Sequence, residues 1–110
     1  MEAEADLFKV LADSTRLRLA VLLAVKGETC VCQLAQALDA PDFKISRHLG
    51  IMRSAGMVEA RREGTWMYYK LAQPRHRWEE CLQECLRDCL ADHKTVKADM
   101  VRLARGSCRK

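Results

Sequence analysis

Proline and glycine are scarce in this 110-residue chain, which has two prolines, five glycines, no repeats and no low-complexity segment. It therefore offers no linker between domains. No apolar run approaches the ~20 residues of a membrane span, and the acidic start Met1-Glu2-Ala3-Glu4 is unlike a secretory signal. Hydrophobic residues make up 49% of the sequence, which excludes disorder. We expect a single domain over residues 1–110, soluble and cytoplasmic, with no membrane partner.

The sequence also lacks the patterns on which enzyme active sites depend. It contains no Gly-rich phosphate loop and no metal-water motif, and no base is paired with a nucleophile. We predict that the protein is not an enzyme. Its charge points elsewhere: residues 43–71 carry six Lys and Arg side chains against only Glu59 and Glu63. A basic middle third is typical of a surface that binds nucleic acid.

Two short helices joined by a tight turn are predicted in this region. Thr29 is expected to cap a helix that ends at Leu38, and Asp39-Ala40-Pro41 forms the turn. Asp42 then caps a helix that runs to about Ala55, before Gly56. Together these segments predict a helix-turn-helix over about residues 29–55.

The flanking segments complete the fold. Asp13-Ser14 is expected to cap an earlier helix, and alternating side chains over about residues 57–71 predict a β-hairpin that turns at Glu63-Gly64. One long amphipathic helix follows over about residues 75–105. The predicted fold is mainly α with a β-hairpin wing, a winged helix-turn-helix. The apolar stripe over residues 76–104 looks too long for one chain to cover, which predicts a homodimer.

The helix over residues 42–55 has two distinct faces. Ile45, Leu49 and Met52 form its buried stripe, and basic side chains lie opposite. Lys and Arg can neutralise phosphates or pair with guanine. His48 projects near the apolar side of the helix, which favours a packing role over a contact with a base. The predicted DNA contacts, including two arginines near the hairpin tip, are Lys44, Ser46, Arg47, His48, Arg53, Arg61 and Arg62.

The six cysteines favour ligand or redox roles over a disulfide framework. Cys30 and Cys32 fall in the first turn of the helix predicted over residues 29–38, just before the DNA-contacting helix. Soft thiolates bind soft metals and metalloids. Residues i and i+2 of a helix point about 200° apart. Binding of one ion by both thiols should therefore deform the helix start and affect DNA binding.

Three segments resemble the ArsR–SmtB family of metal-sensing repressors: LFKVLADSTRLRLAVLL (residues 7–23), ETCVCQL (28–34) and ISRHLGIMRSAGMVEARREGTWMYYKL (45–71). The arsenic-responsive branch is the most similar, including the tail VRLARGSC. The resemblance implies a homodimeric winged-helix repressor that holds an operator until an ion releases it. It maps Ser46, Arg47 and His48 onto DNA-contacting positions, and Cys30 and Cys32 onto the inducer site.

The identity of the inducer stays open between several classes. Pyramidal thiolate coordination favours arsenite or antimonite; the alternatives are Cd(II), Pb(II) or Zn(II). Ala35 stands where the arsenic branch often has a third thiol, and the last helix lacks the Asp and His spacing of zinc sensors. A thiol redox switch would need no ion. A winged helix used only for protein contacts would show no salt-dependent DNA binding.

The remaining cysteines also have two interpretations. Cys81, Cys85 and Cys89 step by four along the last predicted helix. They serve either as small hydrophobic residues in a dimer seam or as a soft-metal or redox site. Cys108, beyond Gly106 on a basic tail, is either a third ligand to the inducer or a surface thiol.

Overall fold

The computed structural model describes residues 1–106, which form six helices and a three-stranded antiparallel sheet. The elements are α1 (Glu2–Leu11), α2 (Ser14–Lys26), β1 (Thr29–Cys30), α3 (Val31–Leu38), α4 (Asp42–Ser54), β2 (Val58–Glu63), β3 (Trp66–Leu71), α5 (Arg77–Asp88) and α6 (Lys94–Arg105). The strands lie in the order β1-β3-β2. Helices α3 and α4 form the helix-turn-helix and strands β2 and β3 the wing, so the predicted winged helix-turn-helix is confirmed.

Local sequence signals explain most of these boundaries. The Asp13 carboxylate accepts a hydrogen bond from the Arg16 amide (3.0 Å), which caps the start of α2 as predicted. Helix α4 ends before Gly56, whose φ of +77° suits glycine. The predicted stripe of α4 is confirmed: Ile45, Leu49 and Met52 are completely buried. They pack in the core with the leucines of α2 and α3.

The start of α3 differs from the prediction. Thr29 does not cap a helix: Thr29 and Cys30 form the short strand β1, opposite Tyr69 and Tyr68 of β3. The Thr29 hydroxyl instead donates to the Gly27 carbonyl (2.8 Å). Pairing with β3 satisfies the backbone groups of these two residues, so the helix begins only at Val31.

The start of α4 is also shifted by one residue. Pro41 holds the N-cap position and Asp42 is the first helical residue, so Asp42 does not cap the helix as predicted. Its carboxylate still lies in the first turn, where the helix dipole favours negative charge.

The single long helix predicted over residues 75–105 is wrong, because the structure has two helices there. Helix α5 ends at Asp88 and α6 begins at Lys94. His93 caps α6 through Nδ1, which accepts a hydrogen bond from the Thr95 amide (3.1 Å). The break lets α6 turn back and pack on α3 and α2.

A buried ion cluster explains why α6 turns back. Asp99 is completely buried, and both of its carboxylate oxygens accept hydrogen bonds from Arg18 of α2 (2.9 and 2.7 Å). Arg102 donates to the same carboxylate (2.7 Å) and to the Ala37 carbonyl of α3 (2.7 Å). Because a buried carboxylate is stable only when it is paired, Asp99 holds α6 against α2 and α3.

The two helices also cover much of the apolar stripe that predicted a dimer. Leu86, Val96 and Leu103 are buried in the core of their own chain, so the stripe is not too long for one chain to cover. What stays open is a cleft between α1 and α5. Within residues 1–106, no helix has the length and apolar character that crossing a membrane would require.

Candidate nucleic-acid interface and thiol site

The outward face of α4 carries the predicted DNA contacts. Lys44, Ser46, Arg47 and Arg53 are all exposed there, opposite the buried stripe. Phe43, which was not among the predicted site residues, is 72% exposed at the start of the helix. An aromatic residue on an otherwise polar helix face was the signal, since apolar side chains contact thymine methyl groups.

His48 lies apart from this face. Its ring is half-buried, and Nδ1 is 3.3 Å from the Arg16 guanidinium and 3.9 Å from the Asp13 carboxylate. Burial lowers the pKa of His48, although the Asp13 carboxylate acts in the opposite direction. These contacts agree with the predicted packing role, because the ring connects α4 to the start of α2.

The two wing arginines have different surroundings. The Arg61 guanidinium pairs with Glu28 (2.8 Å), which precedes β1, and with Glu63 (3.4 Å), and it lies 4.7 Å from the ring centre of Tyr68. The hydrogen bond to Glu28 is the main cause of the raised pKa of Arg61. Arg62 follows it on the exposed wing. Arg61 therefore ties the wing to the segment before β1, a link through Glu28 that the sequence analysis missed.

The side chains of Cys30 and Cys32 lie close together at the start of α3. Their sulfur atoms are 3.2 Å apart, and Cys30 Sγ also donates to Gln33 Oε1 at 3.5 Å. Cys30 is 4% exposed and Cys32 is half-buried. Cys30 is the N-cap residue of α3 and Cys32 lies in its first turn, close to the positive end of the helix dipole. Both sulfurs therefore lie at the start of the first helix of the helix-turn-helix.

The expectation that an intact helix start points the two sulfurs apart is wrong. Cys30 lies outside the helix, with an extended backbone (φ −80°, ψ 155°). The angular spacing of helical side chains therefore does not apply to it, and both sulfurs face each other without any unwinding of α3.

This position also connects the thiol pair to the wing. Cys30 is paired with Tyr68 of β3, and Glu28, two residues earlier, holds Arg61 of β2. Cys30 and the segment just before it are therefore in contact with both wing strands. The turn at residues 39–41, which leads to α4, lies at the opposite end of α3.

The other predicted thiols fall into two groups. Cys81, Cys85 and Cys89 are exposed on α5, so they do not pack in the core of their own chain. Among residues 1–106, no three His, Cys, Asp or Glu side chains are grouped as a metal site. The proposed third ligand Cys108 lies outside the described residues.

The sequence and structure agree with known proteins that share this arrangement. Residues 13–60 match the profile described as "Bacterial regulatory protein, arsR family". The arsenic resistance transcriptional regulator ArsR1 of Pseudomonas putida is 42% identical over 97 residues, covering 88% of this chain and 74% of the relative. The arsenical resistance operon repressor of Escherichia coli K12 is 41% identical over 103 residues, covering 94% and 86%.

A solved structure shares the fold. It is the solution structure of a homodimeric winged helix-turn-helix DNA-binding domain from Mycobacterium bovis, with a TM-score of 0.64 and 31% identity. The match covers 84% of this chain and 82% of that one. The molecule is thus a winged helix-turn-helix protein of the DNA-binding class. More specifically, the chain belongs to the arsR family of bacterial regulatory proteins. It is a transcriptional regulator and not an enzyme, as the sequence predicted.

Proposed function

We propose that this protein is a cytoplasmic repressor that binds operator DNA as a dimer and is released when arsenite or antimonite binds Cys30 and Cys32. The observation that carries this proposal is the 3.2 Å separation of the two sulfurs. The two sulfurs lie side by side, so in the reduced protein both can bind one ion. The two relatives described above have arsenic resistance in their names, which supports the same class of inducer.

The ligand set also favours a pyramidal ion over a tetrahedral one. A structural zinc site needs four ligands, and residues 1–106 contain no group of even three His, Cys, Asp or Glu side chains that could hold a metal ion. A pyramidal ion needs fewer ligands, which favours arsenite or antimonite. Cadmium, lead and zinc remain the alternative inducers, and their response is measured in the test below.

DNA binding is assigned to the exposed face of α4 and to the wing. The recognition helix of such folds enters the major groove with its N-terminal residues, which here include Phe43, Lys44 and Arg47. Arg62 and Arg61 contact backbone phosphates from the wing, which positions the protein without selecting a sequence.

A homodimer is supported by the apolar cleft between α1 and α5. Its walls include Phe8, Trp78 and Leu82, and the rings of Phe8 and Trp78 lie 6.1 Å apart. Phe8 is 53% exposed, which is unusual for a large aromatic side chain on a small protein. A second copy would cover this cleft and place two DNA-binding heads on two operator half-sites.

Induction acts through both ends of α3. Closure of Cys30 and Cys32 around an ion shifts β1, and the pairs Cys30–Tyr68 and Glu28–Arg61 carry this shift to the wing. Movement of α3 also reaches the turn at residues 39–41 and hence α4. Ion and DNA therefore bind antagonistically, with a coupling free energy of about 1–3 kcal/mol.

The test is release of the purified protein from operator DNA, titrated separately with arsenite, antimonite, cadmium, lead and zinc. We expect the first two to release it at the lowest concentrations. If cadmium, lead or zinc releases the protein at lower concentrations than arsenite and antimonite, that ion is the inducer instead. Release by peroxide with no response to any ion would favour the thiol redox switch, and absence of salt-dependent DNA binding would favour a protein-contact module.

Arg47→Ala tests the DNA face. It should weaken operator binding by about 1–3 kcal/mol if the guanidinium contacts a base. Equilibrium binding to operator and unrelated DNA, measured at several salt concentrations, separates a base contact from a phosphate contact. Arg87→Ala removes the same charge from an exposed position of α5 outside the cleft and should leave binding unchanged. Equal affinities of the two variants would contradict the assignment of this face.

Glu28→Gln tests the route to the wing. Losing the Glu28–Arg61 pair should weaken the coupling, so that arsenite changes DNA affinity less than in the unmodified protein. Arsenite affinity itself, measured without DNA, should not change. The control is Glu59→Gln, which removes the 4.0 Å pair with Lys70 inside the wing and leaves β1 untouched. If both variants respond like the unmodified protein, the wing does not carry the signal.

A further inference from the structure

A second pair of thiols lies on α5, away from Cys30 and Cys32. Cys85 and Cys89 are one helical turn apart, and both are exposed. The Cys89 amide donates to the Cys85 carbonyl (2.9 Å), so the turn between them is regular. Residues at this spacing have Cβ atoms about 5–6 Å apart on the same face.

The two thiols also interact electrostatically. The pKa of Cys89 is raised, mainly because charge on Cys85 disfavours a second thiolate beside it, with smaller contributions from burial and a hydrogen bond to Cys85. A soft acceptor removes this penalty, since it takes up both thiolates and displaces their protons. The spacing of one helical turn places both exposed sulfurs within reach of one acceptor, and this geometry favours bridging.

We propose that Cys85 and Cys89 form a second, independent thiol site for a soft acceptor with two exchangeable positions, such as a trivalent arsenical that carries one organic group. A three-thiolate site does not fit this helix. Cys81 and Cys89 are separated by two turns, about 12 Å, and residues 1–106 contain no group of three potential ligands. The two thiols thus match an acceptor with two exchangeable positions better than arsenite, which has three.

Cys81 is the less suitable partner for Cys85, although it has the same spacing. It lies beside the cleft formed with Phe8, Trp78 and Leu82, where its side chain borders apolar surface. Cys89 instead lies at the C-cap of α5, next to the connection to α6. The exposed end of the helix gives a substituted acceptor room for its organic group.

The reaction with an organoarsenic oxide balances without an oxidant or reductant. The two S–H protons pass to the oxide oxygen, which leaves as water, and two As–S bonds replace the bonds to oxygen. Arsenic stays trivalent throughout. Because the helix holds both thiols in place, the second bond forms intramolecularly and resists competition by a monothiol.

The experiment uses phenylarsine oxide as the probe and intact-protein mass spectrometry in excess glutathione as the readout. The unmodified full-length chain should carry two phenylarsine groups, one at each thiol pair. In a background of Cys30→Ser, Cys32→Ser and Cys108→Ser, one group should remain. Absence of any adduct in this background overturns the proposal.

Single changes in that background identify the pair. Cys85→Ser and Cys89→Ser should each abolish the remaining adduct, whereas Cys81→Ser should retain it. An adduct that survives Cys89→Ser would assign the site to Cys81 and Cys85 and contradict the proposal. The outcome is separate from the repressor function, because a protein that failed to respond to arsenite on DNA could still form this adduct.

Discussion

Replacing Cys30 with serine should leave a protein that binds its operator normally but is no longer released by arsenite. The change substitutes one atom in a side chain that is 4% exposed, and the hydroxyl can still donate to Gln33 Oε1. Strand β1 and its pairing with Tyr68 should therefore persist. The thiolate is lost, however, and with it the coupling of about 1–3 kcal/mol, a change of roughly 5–150-fold in induced DNA affinity.

Cys32→Ser should have the same effect, because both sulfurs face the same point. The measurement is operator affinity with and without saturating arsenite, accompanied by thermal unfolding to establish that the fold is intact. Cys81→Ser is the matched control, since it removes an exposed thiol from α5 and should respond like the unmodified protein. Normal release of a Cys30→Ser/Cys32→Ser protein would move the sensor away from this pair.

Phe8→Asp should convert the dimer to a monomer and lower operator affinity by roughly 100-fold or more, because paired half-sites need paired heads. In a dimer, the partner chain would bury this carboxylate in the apolar cleft. Burying an unpaired charge is strongly unfavourable, so the dimer should dissociate. Within one chain the cost is smaller, about 1 kcal/mol for the lost contact with Trp78. Sedimentation at several concentrations measures the oligomeric state.

Val101→Asp provides the control for this experiment. Val101 is 50% exposed on α6, similar to Phe8, but lies outside the cleft. The variant should remain dimeric and bind DNA. A charge at Leu86, which the apolar stripe would suggest as an interface test, is unsuitable because Leu86 is buried in its own chain and the change would unfold it. If sedimentation shows that the unmodified protein is a monomer, the dimer proposal is wrong.

In the proposed induction, the signal from Cys30 has a short path to the DNA-binding surface. Cys30 belongs to the same sheet as the wing, and Glu28 and Arg61 add a side-chain link across it. Helix α3 is held at its other end by the bond from Arg102 to the Ala37 carbonyl. Because this end of α3 is anchored, we expect the route through β1 and the wing to carry more of the signal than the route through α4.

Local patterns in the sequence were enough to predict much of this protein. The buried stripe of Ile45, Leu49 and Met52 and the alternation in the hairpin reflect contacts between residues a few positions apart. The spacing of Cys30 and Cys32 identified the candidate thiol site, and the family resemblance was confirmed by the comparisons. The stripe and the alternation depend on helix and strand periodicity, and the cysteine spacing and the family motifs are local patterns. The sequence carries all of these directly.

The tertiary structure decided the features that depend on distant residues. Cys30 is extended because it pairs with Tyr68, so the two sulfurs converge where helix geometry alone would separate them. The last segment folds back as two helices, and Asp99 of the second helix pairs with Arg18, 81 positions earlier in the chain. On its own helix, Asp99 looks like an ordinary surface acid. Its burial follows only from the packing of α6 against α2, because the charge requires a partner that local sequence cannot specify.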